Sequence, residues 1–220
     1  MTQASQLSAP VHGLSNGARK ILDVAKQLFA EKGFDAISIN QIAQQAGVSK
    51  ANVFHHFTSK DALYLAVLKA ACEETVGSLA EAHSSGNAGE DLWEFFSSHL
   101  AAMLANQASA KLILREIVES KNEREQTLAE HVFAEYFTRL VGMVSDGQTQ
   151  GLLRKDFDPA LLAFLMLGAN VFFFENYTVT AHLVEGGFAR TPDSYSRDVF
   201  RLLLQGALVN PETGFQFREA

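Results

Sequence analysis

Cysteine and proline are both scarce in this 220-residue chain, and each shortage excludes a class of fold. The one cysteine, Cys72, has no partner for a disulfide within the chain, which rules out a disulfide-stapled scaffold. Four prolines are too few for many short strands joined by turns, and they favour long uninterrupted helices. No run of 18 uncharged apolar residues occurs, which argues against a membrane span. The opening MTQASQLSAPVHG has neither the charged nor the apolar region of a secretory signal, so the expected compartment is the cytoplasm. Hydrophobic residues at 47% and charged residues at 20% are ordinary for a globular protein and exclude disorder. The expectation is an all-α chain of one domain or two small ones.

Net charge is −7, which by itself counts against a polyanionic partner, but the charge is unevenly spread. Residues 15–69 hold seven basic and four acidic side chains, a net of +3, and residues 70–220 hold 11 and 21, a net of −10. A small basic module on an acidic body approaches polyphosphate in one orientation. Residues 1–14 carry no charge and no periodicity and read as a mobile arm.

Helical patterning begins at Ser15 or Asn16, with Ile21, Val24, Ala25, Leu28 and Phe29 on one face, and ends at Gly33, which suits a left-handed stop. Ser38 and Gln41 form a capping box before a short helix whose inner face is Ile39, Ile42, Ala43 and Ala46. Gly47 ends it, and Val48 is expected to plug the core beneath the turn. Ser49 caps a second short helix, Lys50–Phe57, and Ser59 caps a long one running to about Ser84. Short helix, glycine turn and short capped helix are the sequence form of a helix-turn-helix, expected within residues 15–63. A plain helical hairpin shares the turn but has no need of a polar, outward second helix. Here Lys50, Asn52, His55 and His56 face outward.

The stretch Ala25–Leu68 contains A-x-x-L-F-x-x-x-G-F, I-A-x-x-A-G-V-S and F-x-x-K-x-x-L, and it resembles the N-terminal domain of TetR-family transcriptional regulators. The resemblance implies an all-α homodimer whose larger C-terminal domain binds a small molecule that releases DNA. Phe54 departs from the family's usual tyrosine, so the phenolic phosphate contact is missing. In the helix-turn-helix geometry Ser38, Ser49, His55, His56 and Lys60 are expected to hold phosphates. Lys50, Ala51 and Asn52 are expected at base edges: Lys50 toward guanine, Asn52 toward adenine and Ala51 against a thymine methyl. The expected partners are a palindromic double-stranded operator, a small-molecule effector and a second copy of the chain, with no membrane. Repression is expected over activation, because occupying a promoter is enough. A helical protein-interaction module without sequence-specific DNA binding is the alternative.

Residues 64–212 are expected to form the effector-binding and dimerisation domain, with 213–220 as a tail. Helical patterns fall at about 90–105, 109–120, 124–146, 159–178 and 194–208, after the break Gly86-Asn87-Ala88-Gly89. Leu161–Phe174 is apolar all round, interrupted only at Gly168, Ala169 and Asn170, so it requires burial on every side. A two-fold interface satisfies this, through Phe164, Leu167 and Val171 with Val199, Leu202 and Leu203 of the last helix. A central core helix of a monomer would satisfy it too. Candidate effector contacts are Phe96, Met103, Arg115, Phe133, Phe137, Phe172, Glu175 and Asn176, since an apolar pocket with a few polar groups suits a small molecule.

Catalytic, cofactor and metal sites are expected to be absent. His55 and His56 are adjacent and diverge on a helix, and His83, His99, His131 and His182 lack ligand spacing. No phosphate-binding loop or dinucleotide motif occurs. Glu73-Glu74 and Glu116, Glu119 and Glu123 read as solvated helix faces, and Cys72 as a buried structural thiol.

Overall fold

Side chains that accept hydrogen bonds from exposed amides set the starts of the helices. In the computed structural model, which describes residues 14–81, 85–119, 123–183, 186–189 and 191–210, ten α-helices account for most of the described chain. Apart from Leu14, the expected arm at 1–14 and the tail at 213–220 lie outside the described residues. Ser15 Oγ accepts from Ala18 N at 3.2 Å and opens α1 (Asn16–Lys32). Ser38 and Gln41 complete their reciprocal box at the start of α2 (Ile39–Ala46), Ser49 Oγ accepts from Asn52 N at 3.1 Å before α3 (Lys50–His56), and Ser59 Oγ caps α4 (Lys60–Glu81). Each such cap contributes about 1 kcal/mol. The later helices are α5 (Ala88–Ala105), α6 (Gln107–Glu119), α7 (Glu123–Leu128), α8 (Ala134–Thr149), α9 (Pro159–Thr180) and α10 (Pro192–Gln205). Among the described residues there is no strand, only one antiparallel bridge between Leu153 and Leu208.

Two local expectations need correction. Gly33 has φ 80° with ψ 168°, so its positive φ admits glycine but the backbone is extended and not left-handed helical. The single helix expected over 124–146 is interrupted by a π-helical turn, Ala129–Phe133, between α7 and α8. Neither proline nor glycine marks that turn, and an inserted residue in a π-turn needs neither.

The chain forms two compact units, each drawn from two stretches of sequence. The first runs to Glu74 and includes Asn106–Val132; the second takes Thr75–Ala105 and the chain from Phe133 onward. In the first unit α1 packs on α2, α3 and α6 around Ile21, Phe29, Ile42, Val53, Leu63 and Val67. Each of these buried side chains stabilises by about 1.5–3 kcal/mol. Cys72 is buried, and burial raises its thiol pKa to about 12, which removes the thiolate that reactivity needs.

In the second unit α5 packs on α8, α9 and α10 around Leu92, Phe96, Leu100, Leu140, Met166, Phe173 and Phe200. By length and composition α9 is apolar enough to cross a bilayer, although its longest uncharged run falls short of 18 residues. It instead buries one face, Leu162, Ala163, Met166, Asn170 and Phe173, against its helical neighbours. Its other face leaves Leu161, Phe164, Leu165 and Phe172 exposed, an i, i+3, i+4, i+11 stripe with Gly168 at the seventh position.

Candidate nucleic-acid interface

Gly47 sits at φ 65° and ψ 36°, a left-handed conformation that costs other residues roughly 1–2 kcal/mol. From there Val48 N donates to the Ala43 carbonyl at 3.0 Å, closing the turn between α2 and α3. Val48 is half-buried, and so less of a core plug than its position suggests. Val53 is wholly buried and anchors α3, which leaves Lys50, Ala51, Phe54 and His55 exposed on the outer face and Asn52 half-buried. A short helix held by one apolar anchor, with its polar face outward, is the geometry that enters a major groove.

The expected phosphate-holding residues differ in what remains available to them. Ser38 Oγ accepts from Gln41 N and donates to Gln41 Oε1 at 2.9 Å, so both of its roles are used inside the capping box. Ser49 Oγ only accepts, and its own hydrogen stays available to an incoming oxygen. His55 is exposed, whereas His56 is half-buried and turned toward α1, with Nε2 3.3 Å from where a Cβ on Gly17 would lie. The Lys60 ammonium rests 4.1 Å from the centre of the Phe34 ring, and Lys50 Nζ is 5.9 Å from the centre of the Phe54 ring. Phe54, standing where a tyrosine was expected, thus offers a π-face to Lys50.

Sequence reasoning passed over Lys20. On exposed α1 surface, its Nζ lies 3.6 Å from where a Cβ on Gly47 would be, so a cation covers the helix-turn-helix turn. Lys20 stands one position outside the apolar repeat of α1, and the turn only meets it through the packing of α1 on α2.

The first unit also holds a buried carboxylate that the sequence placed on a solvated face. Glu116 is only 4% exposed, because it completes an i, i+3, i+4, i+7 set with Ser109, Leu112 and Ile113 on the inner side of α6. Tyr64 OH donates to its Oε2 at 2.7 Å, and Arg124 Nη1 lies 3.6 Å from Oε1. Burial, and then the bond to Glu116, pushes the Tyr64 phenol far above its usual range, so it remains a donor. The Arg124 guanidinium also lies 4.6 Å from the Phe34 ring centre. Glu74 pairs with Lys26 at 2.5 Å and accepts from Ser109, while Arg115 Nη1 donates to the Phe29 carbonyl at 3.4 Å.

The expected effector contacts fall in different places. Phe96 and Met103 are buried in the core of the second unit, and Phe133 and Phe137 are half-buried beside or on α8. Phe172 and Glu175 are exposed on α9, Asn176 is half-buried and donates to the Phe172 carbonyl at 2.9 Å, and Arg115 belongs to the first unit. Among the expected dimer contacts, Phe164 at 66% and Leu202 at 68% are the most exposed. Leu167, Val171, Val199 and Leu203 are half-buried, Val199 against the cluster of Leu100, Phe173 and Tyr195.

A capped, outward-facing recognition helix on a three-helix core defines a helix-turn-helix DNA-binding protein. Residues 21–67 match the family model described as "Bacterial regulatory proteins, tetR family". Over 195 residues the chain is 24% identical to the HTH-type transcriptional repressor KstR2 of Rhodococcus jostii, covering 88% of this chain and 92% of that protein. It is 23% identical over 150 residues to the fatty acid metabolism regulator protein of Bacillus subtilis, covering 68% and 77%. The crystal structure of the TetR family regulator PfmR from Thermus thermophilus superposes with a TM-score of 0.62 at 25% identity, over 84% of this chain and 97% of that one. Residues 21–67 thus match the DNA-binding domain of the TetR family, and the chain as a whole is similar to transcriptional regulators of that family.

Proposed function

We propose that two copies of the chain bind a palindromic operator and repress transcription in the cytoplasm, and that a small, largely apolar effector releases them. The outward polar face of α3 carries the reading: Lys50, Ala51 and Asn52 meet base edges, and Ser49, His55 and Lys60 hold the flanking phosphates. Lys20 adds a phosphate contact over the turn, and Ser38 serves mainly as a cap.

Dimerisation is supported by the exposed stripe on α9 with Leu202 of α10, apolar area of a kind a lone chain leaves unsatisfied. Gly168 at mid-stripe has open space where a Cβ would lie, which allows two α9 helices to approach closely. Two recognition helices then address half-sites one helical turn apart, about 34 Å, or a multiple of it. An effector that changes this spacing by a few ångströms weakens both contacts at once, and operator must lower effector affinity by the same factor. The names of relatives are compatible with apolar effectors: one is a fatty acid metabolism regulator, and a structural neighbour from Mycobacterium tuberculosis is described as a ketosteroid regulator.

Footprinting on a selected operator, combined with sedimentation of the complex, tests this reading. Two symmetry-related protected half-sites and an even number of chains per duplex are expected. One protected half-site with a single chain would overturn it.

A further inference from the structure

Asn170 is wholly buried on the inner face of α9, and its Nδ2 is fully used: it donates to the Phe96 carbonyl at 2.8 Å and lies 3.1 Å from His99 Nδ1. The carbonyl fixes the amide's orientation, because the opposite rotamer would set two oxygens against each other. With Nδ1 accepting from Asn170, the imidazole proton must sit on Nε2. Burial pulls the His99 pKa down to about 4, so the ring is neutral at physiological pH. One capacity is left over. Asn170 Oδ1 is buried without a hydrogen-bond partner among the described residues.

The surroundings of this pair are apolar. Phe95 stacks on His99 with ring centres 5.4 Å apart, and Met166 and Phe173 flank Asn170 one turn to either side on α9. The buried polar side chains described in this unit are Thr75, His99, Asn170 and Ser196, none of which is charged at neutral pH. A carboxylate would bring only acceptors toward Oδ1 and would find no buried cation to neutralise it. A hydroxyl supplies the missing hydrogen without bringing charge.

We infer that Asn170, oriented by His99, is the polar anchor of the effector site, and that the effector is an uncharged molecule with an apolar body and a hydroxyl group that donates to Asn170 Oδ1. This rests on the proposal that the chain binds a small, largely apolar effector. Asn170 selects for the hydroxyl; His99 holds the amide and keeps the site free of charge.

The test uses the full-length chain at pH 7.5 with three probes of similar length: 1-octanol, octyl methyl ether, which lacks the donor, and octanoate. Calorimetry is expected to show saturable binding of 1-octanol at least tenfold tighter than of either other probe, with the advantage over the ether lost in Asn170→Leu. Because that variant loses two hydrogen bonds and its folding is at risk, the wild-type comparison is paired with NMR of the His99 Nε2–H, which 1-octanol is expected to shift. Equal affinity for alcohol and ether, a preference for octanoate, no saturable binding, or an unmoved His99 resonance would each overturn the anchor. Operator release separates this failure from that of the wider reading. Release by octanoate but not by 1-octanol would leave ligand response standing and remove the anchor, whereas no release by these probes or by a broad metabolite library would remove ligand response itself.

Discussion

The Tyr64 hydroxyl donates to Glu116 Oε2 over 2.7 Å, joining α4, whose first residue is Lys60, to α6 inside the DNA-binding unit. Removing the hydroxyl strands a buried carboxylate oxygen. Tyr64→Phe is therefore expected to lower stability by about 1–3 kcal/mol in chemical denaturation. Glu116→Gln retains an acceptor for Tyr64 and is expected to lose less, so a Gln variant weaker than the Phe variant would mean that the Arg124 pairing matters more.

His99 sets an acid limit on the second unit. Its pKa falls from 6.5 to about 4 on folding because burial disfavours the charged ring, so between these values the unfolded chain holds the extra proton. Stability is then fully present above about pH 6.5 and falls as the pH drops toward 4, by roughly 3 kcal/mol if the shift is complete. Denaturation curves across this window are expected to slope in wild type and to flatten in His99→Phe, whatever that variant's baseline. Equal slopes would place the titrating group elsewhere.

Lys60 illustrates a cation held on an aromatic face, its ammonium 4.1 Å from the centre of the Phe34 ring. Lys60→Ala is expected to weaken all duplexes alike and to reduce the salt slope of binding by about one unit. Loss confined to the preferred operator would make Lys60 a base reader.

The α9 stripe gives an oligomer test. Phe164→Glu and Leu202→Glu place charge on surface that is already exposed in the single chain, so folding is expected to survive. Sedimentation is expected to show wild type at twice the chain mass and both variants at one chain mass, with operator affinity falling in step. Unchanged mass in both variants would move the interface away from α9 and α10.

Local chemistry was legible in the sequence because it is satisfied locally. Ser15, Ser38 with Gln41, Ser49 and Gly47 meet their backbone partners within a few residues, so the helix-turn-helix could be read directly. Glu116 and Asn170 were harder to place. Each occupies an inner position of its helix, a signal that spacing alone offers, yet their partners Tyr64 and Phe96 are 52 and 74 residues away. Spacing shows that a polar residue faces inward, but packing decides what meets it. Phe172 is the converse case: its aromatic character suggested a pocket, while its place in the α9 repeat puts it on the exposed stripe. The π-turn and the joining of α6 and α7 to the DNA-binding unit left no local trace.

The central claim is that α3 reads bases, and selection of bound duplexes from a random pool tests it most directly, with wild type, Lys50→Ala and Asn52→Ala carried in parallel. The account predicts that wild type enriches a two-fold symmetric motif, and that each variant loses preference at its own position in both half-sites, at a cost of about 1–3 kcal/mol on the wild-type motif. No enriched motif from wild type, or the same motif from all three proteins, would contradict it.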